Sequence, residues 1–222
     1  MTKIEYAIAA SGVFINNLHR EGFDRGMIAT FGNTFRVEQS FTSNEAYLHA
    51  ALSDINVSKI NKYNESTRLY YSIADIIAEF WRTGMRDRSW LLTVITDGMD
   101  NDEGSGKYGP IAIGHHIANV YNNEPSNFIF VIGVGKKGEI DRISLSLMAE
   151  KGDFKFITIE SFPLLEAVFL QIALNVSMML VGRKIKTEHF SWEEVMRIRE
   201  MSHIPIDYAF LIDRSGSMGN LG

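Results

Sequence analysis

Apolar positions recur along the chain in two alternating rhythms. From Thr2 to His19 the residues Ile4, Ile8, Val13, Ile15 and Leu18 keep mostly helical spacing. Residues 27–31 form a short apolar run closed by Gly32 and Asn33, which predicts a strand ending in a turn. Phe35-Arg36-Val37-Glu38 alternates strictly, as an edge strand hairpinned onto the first would. Asn44 is placed to cap a short helix with Leu48, Ala51 and Leu52 on its apolar side. After a polar loop over 56–66, a long helix is predicted over 67–84, with Leu69, Ile73, Ile76, Ile77 and Phe80 inward.

The second half repeats the alternation with stronger strands. Residues 90–95 and 128–132 are continuous apolar runs, the pattern of strands covered on both faces. Helices are predicted over 111–120, 139–149 and 162–180, and a strand over 154–159. Ser191, with Glu194 three residues on, forms a capping box for a helix reaching about Met201. A third buried strand, 208–212, comes last and runs into Asp213-Arg214-Ser215-Gly216-Ser217. Strands alternating with helices in this way predict an α/β protein, a doubly wound and mostly parallel sheet with helices on both faces. Ligands of such sheets sit beyond the carboxyl ends of the strands, which singles out the loops after Ile95, Ile132 and Ile212. Two loose ends remain: a strand of central type comes last without its helix, and the first helix has no strand before it.

Composition narrows the classes. The 222 residues suit one domain, and 22 basic against 27 acidic side chains give a formal charge of −5. That balance, without a basic stripe, argues against nucleic acid as a partner. The absence of cysteine removes disulfides, thiolate metal sites and thiol nucleophiles, and fits a reducing compartment. The opening residues are too polar for a signal peptide, and 162–181 contains Pro163, Glu166, Gln171 and Asn175, so it reads as a buried amphipathic helix, not a membrane span. The expectation is a cytoplasmic protein with no membrane partner.

The chemistry lies in two clusters. Asp213-x-Ser215-x-Ser217 follows one buried strand and Thr96-Asp97-Gly98 follows another. Both offer carboxylates and small hydroxyls, hard oxygen donors of the kind Mg²⁺ takes in octahedral coordination at about 2.0–2.1 Å. Asp100, Asp102 and Glu103 read as a solvated acidic loop, and His115 and His116 as structural or surface residues. Gly133-Val134-Gly135-Lys136-Lys137-Gly138 lacks phosphate-loop spacing, and Glu139 would repel an anion there.

These motifs resemble those of von Willebrand factor A domains. Asp213-Arg214-Ser215-Gly216-Ser217-Met218 is similar to their DxSxS motif, and Ile95-Thr96-Asp97-Gly98 to their second metal motif. Thr67 corresponds by position to their third element, although the Gly-Gly that usually precedes it is missing; its other reading is a helix N-cap. The resemblance implies a Rossmann-like fold and a metal-ion-dependent adhesion site built from Asp213, Ser215, Ser217, Thr67 and Asp97. It implies Mg²⁺ as the ion, with Mn²⁺ or Ca²⁺ as alternatives, and a protein partner that presents a carboxylate to it.

In that family DxSxS comes first, whereas here it comes last. A circular permutation of a single domain over 1–222 explains the order, with 182–203 as the connection between the usual ends; a stretch cut from tandem domains would give the same order. The implied function is binding, not catalysis, because no nucleophile is paired with a general base. The alternative is a Mg²⁺-dependent hydrolase or phosphoryl-transfer domain on a similar sheet. The expected state is a monomer or a domain-swapped dimer.

Overall fold

The structure, a computed structural model, describes residues 2–55, 66–97, 100, 108–121, 127–135, 138–152, 155–159, 163–182 and 191–219. In chain order the elements are α1 (Lys3–Leu18), β1 (Arg25–Phe31), β2 (Arg36–Thr42), α2 (Glu45–Asp54), α3 (Leu69–Thr83) and β3 (Ser89–Thr96). They continue with α4 (Pro110–Tyr121), β4 (Phe128–Val134), α5 (Arg142–Gly152), β5 (Lys155–Ile159), α6 (Pro163–Leu180), α7 (Trp192–Glu200) and β6 (Ile206–Asp213). A short 3₁₀ turn, Gly216–Gly219, follows β6.

The six strands form one sheet in the order β2-β1-β6-β3-β4-β5. Only the β1–β2 pair is antiparallel; β1, β6, β3, β4 and β5 run parallel. The fold is therefore the expected doubly wound, Rossmann-like α/β arrangement. β2 is the edge strand foreseen from its alternation, and none of its residues is fully buried. The last strand in the chain is central, with β1 on one side and β3 on the other.

Period-two alternation assigns each strand residue to one of two cores. Ile206, Tyr208, Phe210 and Ile212 of β6 pack with α1, α2, α6 and α7 on one face. Ala209 and Leu211 pack with α3, α4 and α5 on the other. On the first face Phe14 of α1 meets Phe169, Tyr208 and Phe210 edge-on, with centroids 6.0, 5.8 and 5.3 Å away. Truncating so enclosed a ring to alanine costs about 3–5 kcal/mol.

The local signals act where the sequence places them. Thr2 and Glu5 close a capping box on α1, Ser191 and Glu194 another on α7, and the Asn44 side chain accepts from Ala46 N–H. Helix α3 is a correction: it begins at Leu69, Arg68 holds the cap position without a side-chain bond, and Tyr70 N–H donates to Asp100 instead. Asp100 is thus a half-buried acceptor for an orphan helix donor, not a purely solvated charge. Asp102, Glu103 and the polar loop over 56–65 lie outside the described residues. Among the described residues, no helix is long and apolar enough to cross a membrane.

Candidate metal centre

The parallel register sets Ile212 beside Ile95, so β6 and β3 end side by side. One residue further, Asp213 and Thr96 share the face occupied by α3 to α5, and the Thr96 hydroxyl donates to Asp213 Oδ2 at 2.7 Å. The backbone then turns back on itself: Ser215 N–H donates to Asp213 Oδ1 at 2.8 Å. That turn brings Ser215 Oγ and Ser217 Oγ to 2.9 Å from each other. Asp213 is fully buried, Ser215 nearly so, and Ser217 half-buried at the mouth.

Asp97 follows Thr96 and is buried as well. Two carboxylates thus end neighbouring strands, and Asp213 feels both consequences. Burial pushes its carboxyl up to about 7, the negative charge of Asp97 adds to the rise, and the bonds from Ser215 and Thr96 offset part of it. Neutral donors hold Asp213 in place without cancelling its charge.

The loop after β1 completes the rim. Arg214 N–H donates to Phe31 O at 2.7 Å, and Arg68 N–H donates to Gly32 O at 2.9 Å. Gly32 packs on the turn after β6: a Cβ there would lie 3.9 Å from Ser215 N. Thr67, the residue before Arg68, is buried at this junction, so the segment bearing it is hydrogen-bonded to the loop that touches Ser215. The cap reading of Thr67 does not hold, since the helix starts two residues later.

Two charged residues escaped the sequence reading. Lys3, the first residue of α1, looked like part of a polar opening segment, yet its side chain is buried. Its ammonium lies 3.1 Å from Glu139 Oε2 and 4.0 Å from Asp97 Oδ2. The available signal was a cation in the first turn of a helix, where the macrodipole favours anions. Glu139, expected only to repel anions, is the second carboxylate partner of this ammonium. Gly135 makes room for the pair, because a Cβ there would lie 3.3 Å from Glu139 Oε2 and 3.4 Å from Lys3 Nζ.

His116 packs against Tyr108 and His115 is exposed, both within α4. Among the described residues no three His, Cys, Asp or Glu side chains converge as a ready metal cluster. The donor set here is of another kind, two carboxylates and several hydroxyls, and such hard oxygens fit a small divalent cation.

Solved structures with a similar fold include the conserved hypothetical protein BatB from Bacteroides thetaiotaomicron, 18% identical over 77% of this chain and 86% of that one, with a TM-score of 0.55. Another is an aerotolerance-related membrane protein from Bacteroides fragilis NCTC 9343 with multiple mutations to serines, 16% identical over 79% of this chain and 89% of that one, TM-score 0.57. At such identities the likeness is one of fold. No protein-family model and no curated protein matches the chain.

Proposed function

We propose that the chain is a metal-ion-dependent protein-binding module similar to the von Willebrand factor A domains whose motifs it carries. Asp213, Ser215 and Ser217, with Thr67 and Asp97 from neighbouring loops, would hold Mg²⁺ beyond the carboxyl ends of β6 and β3. The observation that carries the reading is the buried Asp97–Asp213 pair. Two carboxylates brought together out of water repel each other, and that repulsion is relieved when a cation lies between them. When bound, the ion would supply a Lewis-acidic open position for a carboxylate of the partner protein. Ser215, Ser217 and Thr67 are neutral, so Asp97 and Asp213 would supply the only formal charges set against the ion. Asp213 is fixed through both oxygens by Thr96 and Ser215, which orients it before any ligand arrives.

The strand order supports the permuted relationship. If the last strand is counted first, β2-β1-β6-β3-β4-β5 becomes 3-2-1-4-5-6, the order of doubly wound dinucleotide-binding sheets. The motif-bearing strand then stands first, as DxSxS does in the family, and α1 becomes the helix that follows it.

The test is calorimetric titration of EDTA-stripped protein with MgCl₂, followed by binding of immobilised Asp- or Glu-containing peptides. Expected are saturable Mg²⁺ uptake, loss of uptake in Asp213→Ala, and peptide capture that EDTA reverses. Uptake unchanged in Asp213→Ala would overturn the reading, and Mg²⁺-dependent turnover of phosphate esters would favour the hydrolase instead.

A further inference from the structure

Two general preferences bear on the position of Lys3. An ammonium in the first turn of a helix opposes the macrodipole, and a lysine is rarely buried unless paired. Here both apply at once: Lys3 opens α1, and its side chain is 4% exposed. Its partners are unequal. Glu139 Oε2 lies at 3.1 Å on a side chain that is 44% exposed, whereas Asp97 Oδ2 lies at 4.0 Å and is buried. The ammonium thus sits between a buried carboxylate of the candidate metal centre and a half-solvated carboxylate outside it. Gly135, the residue after β4, leaves the space in which the two ends of this bridge meet.

We propose that Lys3, which rests on Glu139 and stands 4.0 Å from Asp97, is an internal counter-cation of the Asp97–Asp213 pair, competes with a divalent ion for Asp97, and is left to Glu139 alone when the ion binds. This rests on the metal-binding reading above and adds a consequence to it. In the cation-free protein the ammonium offsets part of the repulsion between the carboxylates, so the site stays folded without metal. On loading, the two positive charges repel each other at Asp97, and the mobile one gives up its 4.0 Å contact there and keeps only the outer carboxylate. Because Lys3 belongs to the first turn of α1 and Glu139 to the segment between β4 and α5, the occupancy of the centre is transmitted to both. The rim that meets a partner is thereby altered at two places.

The experiment compares wild type with Lys3→Met, Lys3→Arg, Glu139→Gln and the Lys3→Met/Glu139→Gln double variant. Mg²⁺ affinity is read by calorimetry, and thermal midpoints are read in EDTA. A unit charge several ångström from an ion, at the effective permittivity of protein sites, alters affinity by about tenfold or more. Lys3→Met is therefore expected to bind Mg²⁺ about tenfold more tightly while melting lower in EDTA, and Lys3→Arg to stay within about twofold of wild type. Glu139→Gln is expected to weaken Mg²⁺ binding several-fold, because the ammonium loses its outer partner, and this effect should shrink in the double variant. Mg²⁺ affinity unchanged in Lys3→Met, with only stability lost, makes Lys3 a static packing residue and overturns the proposal while the metal reading stands. Should Lys3→Met not fold, Glu139→Gln with wild-type affinity overturns it equally. No Mg²⁺ uptake by wild type or any variant overturns both.

Discussion

At the amino end of β6, Asp207 accepts two bonds from the guanidinium of Arg25, one of them at 2.9 Å, and a third from Met85 N–H at 2.8 Å. Beside it, Asp24 is bonded by Arg199 and by Ile206 N–H at 3.0 Å. At the carboxyl end of the same strand, Asp213 accepts from a hydroxyl and a backbone amide, and its charged neighbour is another carboxylate. All four aspartates are buried. Burial alone therefore does not separate the two ends of the strand; the sign of what faces each carboxylate does. Charges at the amino end are settled within the fold. At the carboxyl end Asp213 faces a like charge and Lys3 stands 4.0 Å from Asp97, an arrangement that an added cation would relieve.

The widest separation between the two ends is expected from conservative amide substitutions, compared by urea denaturation in EDTA at pH 7.5. Asp24→Asn leaves the fully enclosed Arg199 without its counter-charge, and breaking a buried pair costs about 3–5 kcal/mol. Asp213→Asn keeps an oxygen for Ser215 N–H, and the Thr96 hydroxyl can turn to accept from the new amide. It also removes the repulsion with Asp97, so stability is expected to match or exceed wild type. A loss in Asp213→Asn as large as in Asp24→Asn would erase the contrast.

The elements of this fold were legible because their signals are local. The capping box at Ser191, the cap at Asn44, the alternation of 35–38 and the apolar runs at 90–95 and 128–132 each depend on residues within a few positions. The carboxyl-end cluster was legible for a different reason, since doubly wound sheets collect ligands where strands end. What stayed hidden depends on contacts between distant segments. Nothing near Lys3 in the sequence reveals Asp97 and Glu139 beside its ammonium, and nothing near Asp100 reveals that it serves the start of α3. Arg199, fully buried against Asp24, likewise carries no local signal of its burial.

A second separation is expected in pH dependence. The Asp213 carboxyl is raised from an ordinary aspartate value to about 7, first by burial and then by Asp97. In the unfolded chain it ionises near pH 4. Between those values the native state holds a proton that the unfolded state has released, so cation-free stability falls as pH rises from about 4 to about 7. The falling contribution is on the order of a few kcal/mol at most, and other groups titrate over the same range. The measurement is therefore the difference between wild type and Asp213→Asn across pH, which should slope downward and level off above pH 7. A flat difference would mean that Asp97 and Asp213 are compensated as fully as the aspartates at the amino end.

Mg²⁺ should reverse that penalty. At about one hundred times its dissociation constant, a ligand bound only by the native state stabilises by about 2.7 kcal/mol. For a domain of this size the thermal midpoint is expected to rise by roughly 5–10 °C. The rise should vanish in Asp213→Asn and persist in Arg25→Met, whose defect lies at the opposite end of β6. Equal rises in wild type and Asp213→Asn would place the ion elsewhere.

The finest division concerns hydroxyls. Ser217 Oγ meets Ser215 Oγ at 2.9 Å at the half-buried mouth of the carboxyl-end cluster. Ser202 Oγ, near the amino end, accepts from Ile204 N–H at 3.2 Å. Ser202→Ala removes a structural acceptor and is expected to cost about 0.5–1.5 kcal/mol with Mg²⁺ affinity untouched. Ser217→Ala should do the opposite. Its cation-free stability is expected to stay within about 0.5 kcal/mol of wild type, because Ser215 keeps its own bond to Asp213. Its Mg²⁺ affinity is expected to fall several-fold, since one neutral ligand is gone while both carboxylates remain. Calorimetry on the two variants decides the matter: if they lose stability equally and bind Mg²⁺ equally, the Ser217 hydroxyl is only the hydrogen-bond partner of Ser215.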